Sequence, residues 1–313
     1  MRPAVSIIVL VYGVEKYIER CARALFGQTM EDLEYIIVDD CSPDASMDIL
    51  LRVLEEYPRR KDRVKVIRNE VNRGQAYSRR VGVEAATGEY IIHCDSDDWP
   101  EPDMYAKLYA KARAGGLDIV ACRASFVFAD RTEISADKLE SKDLLGALIR
   151  QDILNHVWNK LVSRKVYEKG VLFPENNMCE DSAIVIQLAS NSDSYGYLDE
   201  PLYNYSVRED GLSNSGVSMS KMNQMRENFN LAFSCLESKG LARKYKKDIV
   251  FAKCWMKDMA QVLPREYYLG VFPELNVSFL FNKRISFRSH IGHLTHLLGI
   301  HGLSKWIYSK KKR

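Results

Sequence analysis

The chain has 313 residues, 46% of them hydrophobic and 28% charged, with a formal net charge of +3. That length and balance suit one large or two modest domains with a sizeable core, and they exclude a disordered or fibrous protein. The charge is uneven: residues 283–313 hold eight basic and no acidic side chains, while the remainder holds 37 basic against 42 acidic. The basic excess is a property of the tail, not a surface-wide footprint for nucleic acid, so no nucleic-acid partner is expected.

No apolar run approaches the ~20 residues that span a bilayer. The N-terminus, MRPAVSIIVLVYG, begins its apolar run at once and has no small-residue cleavage site, so it reads as a first strand and not a signal peptide. Seven cysteines, an odd number with no C-x-x-C pair, read as reduced thiols in a cytoplasm, not a disulfide framework or a zinc site.

Val5–Val11 (VSIIVLV) has the near-continuous apolar character of a parallel strand buried on both faces. A helix over 14–28 follows, with Tyr17, Ile18, Cys21, Leu25 and Phe26 on one stripe. The pattern repeats: strand 34–38, helix 45–57, strand 64–67, helix 75–86. The fourth strand, Tyr90–Cys94, sits in the stretch GEYIIHCDSDDWPEP. Four strand–helix repeats in about the first 100 residues predict an α/β fold with a mostly parallel, doubly wound sheet.

The fourth strand runs straight into Asp95, Ser96, Asp97 and Asp98, and Pro100 and Pro102 forbid its continuation. Asp39 and Asp40 end the second strand in the same way. Carboxylates at the carboxyl ends of parallel strands stand where open α/β sheets bind ligands. Such hard oxygens suit Mg²⁺ or Mn²⁺ carrying substrate phosphates, whereas the plainer reading is a solvated acidic turn capping the next helix.

Further along, a helix spans 104–114, strands are expected at 118–122 and 125–129, and a helix at 141–152 starts from Ser141. Another helix covers 183–189. Two short strands flank Pro201, at 195–198 and 202–205. From about residue 218 the pattern is helical, with a possible strand at 277–281. The loop-rich segment SVREDGLSNSGVS places a boundary near residue 215.

Taken in order, VSIIVLVYG, IIVDDCSPD, NRGQAYSRRVGVEAATGEYIIHCDSDDWPEPDM, VWNKL, MCEDSA and EPLYNYSVREDGLS resemble the inverting family 2 glycosyltransferases with the GT-A fold, of the kind used in bacterial cell-surface polysaccharide synthesis. The resemblance covers residues 4–215. It implies a GT-A domain over 1–215, with a nucleotide-binding half (1–100) and an acceptor half (101–215), followed by a helical region, 216–313.

The implied reaction moves a sugar, hexosyl or N-acetylhexosaminyl, from a UDP-sugar to a hydroxyl of a glycan or polyprenyl-linked saccharide. The implied cofactor is Mn²⁺ or Mg²⁺, held by Asp97 directly and by Asp95, which also lies near the ribose with Ser96. Val11, Tyr12 and Glu15 would lie along the base, and Asp40 would accept from the ring N–H of uracil. Arg79 would approach the nucleotide or pair with a site aspartate. Arg208 would meet the diphosphate or remain a solvated loop arginine. Asp181 is the implied base, with Glu180 as runner-up; Asp181 also suits a helix N-terminus. Trp158 and Lys160 would frame donor and acceptor, with Trp158 either stacked on a sugar or packed in the core. Two alternatives stay open, a catalytically silent nucleotide-sugar-binding scaffold of the same fold and a nucleotidyltransferase. VLVYGVEKYIE, however, lacks the Gly-rich loop usual in the latter.

At the C-terminal end, Phe287, Ile291, Leu294, Leu297 and Leu298 share one helical face beside His290, His293 and His296. With Trp306, Ile307, Tyr308 and the KKKR end, this basic amphipathic segment predicts docking on an anionic membrane surface, at the inner face of the plasma membrane. A packed terminal helix with a basic tail is the other reading.

Overall fold

The computed structural model describes residues 2–136, 143–208 and 216–300. Four parallel strands form its first half: β1 (Val5–Val11), β2 (Leu33–Asp39), β3 (Val64–Arg68) and β4 (Tyr90–Asp95). Their side chains alternate as the pleat requires. Ile7, Val9 and Val11 pack under one face of the sheet and Ile8 under the other. The register pairs Val11 with Asp39 and Leu10 with Asp95, which brings the ends of three strands to one edge.

Helices α1 (Ile18–Phe26), α2 (Ser46–Glu55) and α3 (Gln75–Ala85) connect these strands. Helix α1 starts four residues later than the periodicity suggests. The backbone N–H groups of Gly13 and Glu15 donate to Ser42 Oγ and Asp44 Oδ2, so this stretch is spent as loop.

The second half mixes strand directions. The sheet order is β3-β2-β1-β4-β8-β6-β9-β5, with β5 at Trp99–Pro100, β6 at Ile119–Val127, β8 at Lys160–Ser163 and β9 at Tyr195–Ser206; β7 (Thr132–Ile134) pairs with β6. Strand β8 is antiparallel to both β4 and β6, whereas β6 and β9 run parallel.

Four sequence expectations are corrected here. The two strands expected at 118–122 and 125–129 are one strand, β6. The two expected around Pro201 are one strand, β9. A register shift at Cys122–Ala124 absorbs the irregularity, with Arg123 facing Pro201. The possible strand at 277–281 is a short 3-10 turn, Ser278–Phe281. The expected helix at 141–152 is shorter, α5 (Leu144–Ile149). Asp143 caps it by accepting from Gly146 N, while Ser141 lies outside the described residues.

Helix α4 (Met104–Gly115) packs with α1 and α2 on one face of the sheet. The other face carries α5, α6 (Arg164–Glu168), α7 (Glu180–Asn191), α8 (Met219–Ser238) and α9 (Lys246–Met259) in one continuous apolar cluster. The C-terminal helices thus share a core with the sheet. The boundary expected near 215 falls among undescribed residues. Two further helices, α10 (Arg265–Gly270) and α11 (Phe287–Leu297), complete the described chain. None of the seven cysteines forms a disulfide. Among the described residues, no helix is long and apolar enough to cross a membrane.

Candidate active site

The site forms where the edge defined by Val11, Asp39 and Asp95 meets the start of α7. At its centre is Arg79 on α3, with a side chain only 2% exposed. Its Nη2 lies 3.2 Å from Asp95 Oδ1 and 3.2 Å from Asp181 Oδ1, and its Nε lies 3.4 Å from Glu180 Oε1. One guanidinium therefore joins the fourth strand's end to the helix start 85 residues later. The planar fork of arginine allows this where a lysine point charge would not.

Local backbone supports the arrangement. Cys179 precedes α7 in the left-handed region, with φ +59, and this sharp entry sets Glu180 and Asp181 in the first helical turn. Carboxylates are favoured there by the helix dipole. Gly74, at φ +82, starts α3 pressed against Asn177, leaving no room for a Cβ. Ala76 N donates to Asn177 Oδ1 and Gln75 Nε2 donates to Glu180 Oε1, so both helix starts are tied together.

The carboxyls respond unequally. Burial, and then the neighbouring Asp181 charge, raise Glu180 well above the usual carboxylate range. For Asp181 burial works upward too, but Arg79 and then His156 outweigh it and hold the group below that range. Asp95 is raised, chiefly by burial, against the pull of Arg79. Below them lies His93, where burial and then Arg79 push the imidazole down to about 3, so it adds no positive charge.

The DSD turn is held from β9. Asp98 is buried; it accepts from Tyr203 Oη at 3.0 Å and from Ser206 N at 2.7 Å, and burial raises it far above a normal carboxyl. Tyr203 Oη in turn accepts from Asp95 N. Asp98 thus anchors the turn while Asp95 and Asp97 reach its partly open side. Asp97 Oδ2 pairs with Arg208 Nε at 3.1 Å, and the Arg208 guanidinium lies over the Tyr17 ring. Arg20 donates to Asp97 O and stacks on Trp99.

Asp40 is also structural. Its carboxylate accepts from Asn69 Nδ2, Arg73 N and Gly74 N, fastening the loop before α3. A carboxylate has about four lone-pair sites, so one further donor fits. Asp39 Oδ1 accepts from Ser42 N, as expected for a loop-stabilising residue. Val11 O accepts from Asp40 N, Tyr12 is exposed, and Glu15 accepts from Ala45 N.

Of the two readings left open for Trp158, its position matches the core: it has no exposed surface and is sandwiched between His156 (centroids 4.8 Å) and Tyr203 (4.3 Å). One expectation is corrected: Lys160 is buried and donates to Leu154 O, His156 O and Asn159 Oδ1, so its ammonium is spent on shaping the 154–159 loop.

The residue missed in the sequence is His156. Its Nδ1 lies 3.4 Å from Asp181 Oδ2, and its side chain is 37% exposed against 12% for Asp181. The one sequence signal was its place two residues before Trp158.

Five carboxyls, Asp95, Asp97, Asp98, Glu180 and Asp181, thus gather around Arg20, Arg79 and Arg208. Carboxyl oxygens are the hard donors that divalent cations take. Among the described residues, no three carboxylate, histidine or cysteine side chains are arranged to hold a metal by themselves. Asp95 and Asp97 supply the right donor type, and phosphate oxygens of a substrate would have to complete the shell.

An α/β sheet whose strand ends present paired aspartates beside a buried Arg–Glu–Asp cluster has the layout of an enzyme that binds its ligand at the carboxyl edge of the sheet. The chain belongs to the glycosyl transferase family 2, whose model matches residues 6–172. Glu180, Asp181 and Arg208 lie beyond the matched segment. The chain is 31% identical over 260 residues to the uncharacterized glycosyltransferase EpsJ of Bacillus subtilis, covering 80% of this chain and 74% of that one.

Among solved structures, S. aureus TarS 1-349 in complex with UDP-GlcNAc aligns with TM-score 0.61 at 18% identity, covering 98% of this chain and 92% of that one. The mannosyltransferase PcManGT of Pyrobaculum calidifontis, in complex with GDP-Man and Mn²⁺, aligns with TM-score 0.59 at 18% identity, covering 99% and 83%. The fold is thus the expected GT-A architecture followed by a helical region, and the protein is a glycosyltransferase.

Proposed function

We propose that this enzyme transfers a sugar, with inversion, from a UDP-sugar to a hydroxyl of a glycan or lipid-linked saccharide in cell-surface polysaccharide synthesis. The observation that carries the reading is the Arg79 bridge. It couples Asp95, on the side where a diphosphate would lie, to Asp181, on the side where an acceptor would enter.

On this reading Asp40 accepts from the uracil N–H through its remaining lone pair. Arg208 moves from Asp97 to the diphosphate, where a planar fork matches phosphate oxygens. A divalent cation held by Asp95 and Asp97 supplies Lewis-acid neutralisation of the diphosphate's negative charge. The acceptor oxygen bonds to the anomeric carbon while the bond to the β-phosphate oxygen breaks. UDP leaves with that electron pair, and the hydroxyl proton passes to Asp181. TarS was solved with UDP-GlcNAc and PcManGT with Mn²⁺, which supports the donor type and the metal class.

A second reading is favoured by one observation. Asp181 is shielded and held strongly acidic by Arg79, whereas His156 beside it is three times as exposed on its side chain. His156 then takes the proton and Asp181 orients it. The kcat values of Asp181→Asn and His156→Gln separate the two. Direct catalysis by Asp181 predicts that His156→Gln keeps most of the parent kcat; the dyad predicts that His156→Gln loses at least as much as Asp181→Asn.

The enclosing test is product analysis with a panel of UDP-sugars and saccharide acceptors. Free UDP with a glycosylated acceptor supports transfer. Pyrophosphate as product would indicate nucleotidyl transfer. Donor binding without turnover on any acceptor would support the silent scaffold.

A further inference from the structure

Helix α11 is inside out. Its polar residues face the protein: Ser289, His293, Thr295 and His296 are all buried. They are spent in a specific network. His293 Nδ1 pairs with Tyr268 Oη and His293 Nε2 with Asn276 O at 2.7 Å; His296 Nε2 pairs with Gln261 O at 2.9 Å. Gln261 Nε2 donates to Ser289 O, and Arg265 Nε donates to His296 O. Turning the helix over to bury its apolar stripe would break every one of these bonds and leave buried polar groups unpaired, so the rotation is locked.

The apolar stripe is therefore displayed. Phe287 is 80% exposed, Leu294 42% and Leu298 71%. At one rise of 1.5 Å per residue this stripe runs about 16 Å. Val277, Phe281 and Ile300, which flank the helix in sequence, are also exposed. Lys283 and Arg284 are exposed and Arg288 is half-buried, and residues 283–300 contain no acid. Exposed apolar tips with basic residues among them, on a chain whose other residues are net acidic, complement an anionic lipid surface.

We infer that the outward face of α11, with the 277–288 segment before it, docks this enzyme on anionic phospholipid. This inference stands on the helix's orientation and charge and does not depend on the donor or base assignments above. It would set the site beside lipid-borne acceptors.

The test is flotation of the full chain with phosphatidylcholine vesicles, with and without phosphatidylglycerol, in low and high salt. Binding is expected to the anionic vesicles alone and to weaken with salt. Lys283→Gln, Arg284→Gln and Arg288→Gln together should lower partitioning roughly a hundredfold, each basic residue near such a surface contributing roughly fivefold. Phe287→Ser with Leu298→Ser should lower it at least about tenfold. Four of the five positions are exposed and Arg288 is half-buried, so thermal melting and UDP binding in the same samples should stay near parent values. Absence of flotation, or flotation unaffected by Phe287→Ser with Leu298→Ser, overturns the inference. So does a dimer in light scattering that these two substitutions dissolve, which would make the face a self-association surface.

Discussion

Arg79→Met is the sharpest probe of the site. The substitution keeps much of the apolar volume and removes a cation that stands within 3.4 Å of three carboxylates while almost wholly buried. Breaking a buried ion pair by deleting one partner costs about 3–5 kcal/mol, because the other charge is left without compensation. Against a total stability of about 5–15 kcal/mol, that is about a fifth or more of what holds a typical domain folded.

The loss has a pH signature. In the parent, Arg79 holds Asp181 below its unfolded value of about 3.9. That contribution is complete above the unfolded pKa and fades as pH falls below it. In Arg79→Met, burial and mutual repulsion raise all three carboxyls. Their penalty grows as pH rises above about 4 and is absent below it. The gap between the two proteins is therefore widest at neutral pH and narrows as pH falls. Urea denaturation of both, from about pH 4 to pH 8, measures it directly. A gap below about 1 kcal/mol, or one that does not change with pH, would refute the claim that Arg79 balances these carboxylates. Arg79→Lys should fall between, since one ammonium cannot reach all three.

Asp97→Asn should abolish metal-dependent UDP binding in calorimetry while leaving the melting temperature near the parent's; unchanged metal dependence would remove Asp97 from the cation's shell. Tyr203→Phe deletes the hydroxyl that links Asp95 N to Asp98, and should cost about 1–3 kcal/mol in denaturant unfolding together with weaker donor binding. Glu180→Gln removes a carboxyl whose folded pKa is raised, chiefly by burial. The parent loses stability as pH rises from about 4.3 toward that raised value, so the variant's stability should fall less over the same range. Equal pH slopes for the two proteins would mean that Glu180 titrates normally.

By itself the sequence determined the first half of the sheet and the place of the site. The near-continuous apolar run VSIIVLV, helical stripes such as Ile18, Cys21 and Leu25, and prolines just after DSD that forbid the strand's continuation are short-range signals that no distant contact reverses. Asp95 and Asp97 were legible for the same reason, since carboxylates directly after a buried strand have nowhere to go but the sheet edge. Tertiary structure decided what those residues do. Residue 79 meets 180 and 181 only because α3 and α7 start side by side, and nothing local to either helix encodes that pairing.

The joining of 119–127 into one strand depended on a partner some 76 residues later, whose irregular register tolerates Arg123 opposite Pro201. Trp158 and Lys160 carried side chains suited to a sugar site, yet the 154–159 loop and Tyr203 enclosed them. His156 became a candidate base because an aromatic stack and Asp181 hold it at the rim. The periodicity of 287–298 announced an amphipathic helix without saying which side faces the protein. The hydrogen bonds of His293 and His296 to residues 261, 268 and 276 turned its apolar face outward.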